Sequence, residues 1–295
     1  TLLQVRLRGA SDLLRSAFAI IRVAGLEAAH GQVASIILSA LLGPASLGLF
    51  NRVNSLVTLP VQLLTSSLSR VVVSAMVMVA DDRDRLSQSA KTLLRAASAI
   101  LGPLVLGIAG SSQAFTDTVL GPTWGAAVPI IPLMALTVWF NMVGSLLGIM
   151  AESVRLFGQR LRIQAAVTLA LIVALLSLSS FGLVAVAAGA MFVSALYCLL
   201  YLRLAAKITG KTVVEILWWM RTGWLAGAAC FVATNAIGWN LGGLASGAVL
   251  ACQVGACAVI AALVYLLLDR PVLVDVFNTV LPGKMGERLE RLLTR

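Results

Sequence analysis

Charge is scarce in this chain of 295 residues, and acid is scarcer than base. Charged side chains make up 12%, with 12 Asp and Glu against 22 Lys and Arg. A soluble domain carries roughly a quarter charged residues, so a water-facing shell all round is excluded. Histidine occurs once, as His30, aromatic residues amount to 6%, and there are 4 cysteines. Cys198, Cys230, Cys252 and Cys257 all lie in apolar stretches. Their spacing suits neither a disulfide framework nor a zinc site, so they are expected as small buried apolar residues. There is no His-Glu-x-x-His, no nucleophile elbow and no Gly-rich phosphate loop. The residues therefore point to no catalytic group, no metal site and no cofactor, and to binding and movement rather than bond chemistry.

What is abundant is apolar length. Hydrophobic residues are 60% of the chain and mean hydropathy is +0.98. A bilayer core needs ~20 apolar residues per helix, and about eight stretches reach that length, near 16–42, 46–70, 90–112, 126–150, 161–180, 183–204, 219–238 and 244–268. Backbone groups in lipid must be satisfied internally, and the short alternating segments of a β-barrel are missing, so these are expected as helices. The fold class is an all-α polytopic membrane protein.

The connections alternate strictly in basic content. Arg6, Arg8 and Arg15 precede the first stretch, and Gly43-Pro44 after it is uncharged. Arg83, Arg85, Lys91 and Arg95 follow the second, Asp117 alone the third, and Arg155, Arg160 and Arg162 the fourth. The turn at 180–182 is bare, Arg203, Lys207, Lys211 and Arg221 come next, and 239–243 is neutral. Lys and Arg accumulate on the cytoplasmic side, which predicts cytoplasmic N- and C-termini and short bare outer loops. The net charge of +10 serves this topology and contact with membrane lipids. Basic residues dispersed without an aromatic-studded patch exclude nucleic acid as a partner.

Residues 1–15 read as a cytoplasmic lead-in and 269–295 as an amphipathic cytoplasmic tail. The chain opens at Thr1 with neither an initiator Met nor a signal peptide and reads as part of a longer protein. Gly43-Pro44 is expected as a tight helix-to-helix turn, and Pro60 and Gly102-Pro103 as kinks. Residues 79–86 read as a solvated mixed-charge elbow, and 115–132 as a surface loop re-entering the membrane with Trp124 as an interfacial anchor. Gly223, Gly227, Gly242, Gly243, Gly247 and Gly255 allow close helix approach.

Polar residues inside two of the stretches stand out. In the second, Asn51, Asn54, Thr58, Gln62, Thr65 and Ser69 recur at steps of three or four and line one helical face, with Arg52 and Arg70 beside it. Such a face turned to lipid is costly. Two readings stay open, hydrogen bonding to another helix and the lining of a hydrated cavity. The first stretch holds Arg22, Glu27 and His30. Arg22 and Arg52 suit an anionic headgroup such as a diphosphate, because guanidinium offers a planar fork of donors. Glu27 and His30, three residues apart, suit proton uptake and release. The plainer alternative is that Arg22 and Glu27 neutralise one another or reach for the membrane surface.

Leu41-Leu42-Gly43-Pro44-Ala45-Ser46-Leu47-Gly48-Leu49-Phe50-Asn51-Arg52 resembles the junction between the seventh and eighth helices of bacterial polysaccharide flippases. These belong to the multidrug, oligosaccharide-lipid and polysaccharide exporter superfamily. Leu59-Pro60, the Asp81–Leu86 elbow and Leu120–Pro129 continue the resemblance in order. It implies two six-helix lobes around a cavity that carries a polyprenyl-diphosphate-linked oligosaccharide across the inner membrane by alternating access, with H+ or Na+ as coupling ion. Residues 16–206 then correspond to the C-terminal six-helix lobe and 207–268 to two extra helices, the N-terminal lobe being a missing partner. The cavity set would be Arg22, Glu27, His30, Asn51, Arg52, Asn54, Thr58, Gln62, Thr65 and Arg70. Ala34 and Ala40 stand where the family often has Asp and Arg, and Ser74 where Pro is common. The alternatives are a multidrug antiporter, a peptidoglycan-precursor flippase, a membrane saccharide polymerase or ligase, and a truncated remnant without transport.

Overall fold

The computed structural model describes residues 7–78 and 82–268, with side chains throughout except at 7–16, 19, 64–75, 77 and 78. Among these residues ten α-helices follow one another: α1 Leu7–Leu41, α2 Gly43–Met78, α3 Arg83–Gly110, α4 Ser112–Val119, α5 Ile130–Ser153, α6 Phe157–Leu178, α7 Leu183–Thr209, α8 Val213–Trp219, α9 Arg221–Asn240 and α10 Ser246–Leu268. Each of the eight apolar stretches is a helix. Five described helices are long and apolar enough to cross a membrane, or six if α8 and α9, bent by 58°, are one span. α1 and α2, at 35 and 36 residues, reach roughly 52–54 Å at the α-helical rise and overrun their apolar stretches. Hence the lead-in is helical from Leu7. Residues 115–132 are also more ordered than a loop, since α4 and a 3-10 segment, Pro122–Ala127, occupy most of them. The tail from 269 lies outside the described residues.

The core joins α2, α3, α5, α6 and α7, and the outward surface is apolar as well. Leu169 and Val173 of α6, Phe192 of α7, and Val254 and Leu267 of α10 are all exposed. An apolar exterior matches a lipid environment, where the hydrophobic effect gives helices no reason to turn these side chains inward. Helix contacts rely instead on close fit. α3 and α9 cross at Gly102, Gly223 and Gly227, where an added Cβ on Gly223 would fall on the Ser98 carbonyl and one on Gly102 on that of Gly223. Gly242, Gly243, Gly247 and Gly255 meet no such close crossing. Two polar bonds fix α10, from Tyr265 to the Ala99 carbonyl at 2.5 Å and from Gln253 to that of Thr234 at 2.8 Å. Cys198 and Cys230 are buried as expected, whereas Cys252 is exposed.

The basic connections gather at one end of the bundle. Arg83 donates to the carbonyls of Ile208 at 2.7 Å and Lys207 at 2.6 Å, which joins the α2–α3 connection to the end of α7. Gln159, Arg162, Arg203 and Lys207 line one shallow cavity there. At the opposite end a cavity of about 340 Å³ is bounded by Ser112, Asp117, Asn235, Trp239 and Ser246. Residues 79–81 of the elbow lie outside the described residues, and Asp82 and Arg83 do more than face solvent. Asp82 caps α3 by accepting from the amides of Asp84 and Arg85, both at 3.1 Å, while Arg83 supplies donors to the carbonyls that end α7.

Candidate functional site: a polar helix face and a buried ion cluster

α2 divides into two faces. Val53, Val57 and Val61, four residues apart, are fully buried in the core shared with α5. Asn51, Arg52, Asn54 and Gln62 are exposed, and Thr58 is half-buried. The Thr58 hydroxyl donates to Asn54 Oδ1 of its own helix at 3.5 Å. Among the described residues, none of Asn51, Asn54, Thr58 and Gln62 hydrogen-bonds another helix, and Arg52 makes no ion pair. The side chains of Thr65 and Arg70 lie outside the described residues. The face is polar, donor-rich and unused by the fold, unlike the apolar exterior of α6, α7 and α10.

α1 separates the three residues grouped by sequence. Arg22 is exposed and donates to the Phe18 carbonyl at 3.4 Å, so it does not neutralise Glu27. Glu27 instead accepts from Arg160 of α6 at 2.7 Å. Arg160 also donates to Glu152, at the end of α5, at 2.5 Å. Its side chain is only 12% exposed, against 40% and 42% for the two carboxylates. Tyr201 of α7 adjoins the guanidinium, and both its hydroxyl and Arg160 Nε are buried without a hydrogen-bond partner. One guanidinium faces two carboxylates, so the cluster carries a net charge of −1 and ties α1, α5 and α6 together beside α7.

His30 has its hydrogen-bond contact on α6. Its Nδ1 lies 3.0 Å from the Thr168 hydroxyl, which itself donates to the Gln164 carbonyl at 2.8 Å. With the hydroxyl proton so engaged, His30 Nδ1 must carry the proton of this contact, which leaves Nε2 as the acceptor of the neutral ring.

Sequence reasoning assigned Arg160 to topology and passed over Glu152, Thr168 and Tyr201. One signal was available. Val23, Ala24, His30 and Gly31 occupy the positions three and four residues from Glu27, so no Lys or Arg on its own helix can pair with it. An intramembrane carboxylate without such a neighbour must take its partner from another helix. The described residues contain no group of three or more His, Cys, Asp or Glu placed to hold a metal ion.

Residues 2–129 match the model of a family described as polysaccharide biosynthesis protein, a region that contains both polar helices, α1 and α2. The lipopolysaccharide biosynthesis protein WzxC of Escherichia coli (strain K12) is 25% identical over 117 residues, which are 40% of this chain and 24% of that protein. The matched part is thus about a quarter of the relative's length. No solved structure matches the chain. The helical architecture is that of a polytopic membrane protein, and its N-terminal part is similar to polysaccharide biosynthesis proteins.

Proposed function

We propose that this chain is the C-terminal portion of an inner-membrane transporter that moves a polyprenyl-diphosphate-linked oligosaccharide by alternating access. The product would serve exopolysaccharide, capsule or O-antigen synthesis. The single observation that carries the reading is the exposed polar face of α2, with Asn51, Asn54, Thr58 and Gln62 set opposite the buried Val53, Val57 and Val61. A face this polar has a place in a membrane only against water or protein. The proposal therefore supplies an N-terminal lobe across it and a hydrated cavity between. Asn and Gln amides and the Thr hydroxyl offer the donors and acceptors that sugar hydroxyls pair with. Arg22, Arg52 and Arg70 would meet the diphosphate.

In this scheme Glu27 is held by Arg160, and His30 carries the proton-linked step with Nε2 as acceptor. The positive-inside rule assigns the basic end to the cytoplasm, along with both termini. Residues 16–206 would form the lobe, 207–268 two added helices, and H+ or Na+ would couple. The protein would act as a transporter and not as an enzyme. The test is export of the lipid-linked oligosaccharide in cells that depend on the protein. Arg52→Ala is expected to lower export at least tenfold with membrane abundance unchanged, and undiminished export would refute the cavity role of this face.

A further inference from the structure

A second site lies at the basic end, away from α1 and α2. α3, α8 and α9 enclose a cavity of about 660 Å³ lined by Lys91, Arg95, Trp218, Trp219, Arg221 and Thr222. α8 meets α9 at 58° and exposes Val214, Leu217 and Trp218, which suits a short helix lying in the headgroup layer of a bilayer. Glu215, the only acid among the described residues that line the cavity, is spent locally. Its carboxylate accepts from the Thr212 amide at 2.8 Å and its own amide donates to the Thr212 hydroxyl at 3.2 Å, a capping box that starts α8.

Lys91 and Arg221 thus bring cationic side chains to a space at the membrane surface. The Arg221 guanidinium is braced over the Trp218 ring, 4.7 Å from its centroid, an arrangement that fixes the group while leaving its N–H donors available. An independent feature marks the wall of the same cavity. Thr222 is 2% exposed, and its hydroxyl makes no hydrogen bond. Thr168, Thr209 and Thr234 satisfy that group on the carbonyl one turn back, whereas Thr222, the second residue of α9, has no preceding turn of its own helix to supply one. A buried hydroxyl left idle is costly, and beside Lys91 and Arg221 its natural partner is an anionic oxygen.

We propose that this cavity binds the phosphate of an anionic phospholipid, with Lys91 and Arg221 supplying charge and the Thr222 hydroxyl donating to a phosphate oxygen. The acyl chains would lie along the apolar surface beside Leu268, which also lines the site. The site is independent of the transported substrate.

The test is native mass spectrometry of the purified protein titrated with phosphatidylglycerol, with phosphatidylcholine and inorganic phosphate as separate arms. Phosphatidylglycerol is expected to give a retained adduct at concentrations where the other two give none. A basic residue near a membrane surface contributes on the order of a fivefold change in affinity, so Lys91→Gln and Arg221→Gln should each weaken binding about fivefold. Thr222→Val should weaken it severalfold while leaving the melting temperature in phosphatidylcholine equal or higher, because an idle buried hydroxyl is removed. Three outcomes would overturn the proposal: equal retention of phosphatidylcholine, adducts with inorganic phosphate alone, or a Thr222→Val protein that melts lower with lipid binding unchanged.

Discussion

Arg160 offers the sharpest test of how this bundle is held together, because its two partners make the effects of mutation unequal. Arg160→Gln removes the guanidinium and leaves Glu27 and Glu152 in a site where the side chain they shared was 12% exposed. Removing one partner of a fully buried pair costs ~3–5 kcal/mol. The carboxylates here are 40% and 42% exposed, so solvent screening reduces the expected loss to about 2–3 kcal/mol. Glu27→Gln acts differently. Glu152 still balances Arg160 one to one, and the Gln amide oxygen still accepts from the guanidinium, so about 1 kcal/mol should be lost. The double variant, with Glu152 alone and partly hydrated, should lose less than the sum of the two by about 1 kcal/mol. The assay is thermal unfolding of all four proteins in the same nanodiscs, read as a double-mutant cycle. Equal losses for the two single variants, or strict additivity, would refute the reasoning.

Two further outcomes follow from the packing. Gly223→Ala sets a methyl group against the Ser98 carbonyl, and overpacking of this kind costs ~1–3 kcal/mol. Gly243→Ala meets nothing within 4 Å and should be neutral, with melting temperature in nanodiscs separating the two. Arg83→Ala removes both donors to the end of α7 and should cost about 1 kcal/mol. Hydrogen exchange should show faster opening of residues 205–210 in that variant, and an unchanged exchange pattern would argue that the contact contributes nothing.

Apolar length and the placement of Lys and Arg along the chain were enough for much of the architecture. The eight stretches became helices because lipid offers a backbone no other partner, a constraint that acts locally and needs no knowledge of neighbours. The Gly43-Pro44 turn was legible for the same reason, since Gly43 adopts φ +79° and Pro44 suits the first turn of a helix. The polar face of α2 also followed from spacing alone. Its orientation did not, because spacing cannot distinguish a face turned to another helix from one left open. In the structure Val53, Val57 and Val61 pack into the core and Asn51, Asn54 and Gln62 are exposed.

Partnership between distant residues was beyond reach. Glu27 and Arg160 are 133 positions apart, and Arg83 and Ile208 are 125 apart. In a lipid environment every helix is apolar on most of its surface, so hydropathy carries little information about which helix lies beside which. The sequence alone determined that the chain is helical, that it is polytopic, and that its basic connections alternate with bare ones, because each of these depends on transfer of residues between water and lipid. Only the tertiary structure decided that Glu27 belongs to Arg160 and not to Arg22, that His30 faces Thr168, and that Lys91, Arg221 and the Thr222 hydroxyl share one cavity. Those outcomes depend on which helices pack together, and shape complementarity at small residues such as Gly102 and Gly223 governs that choice.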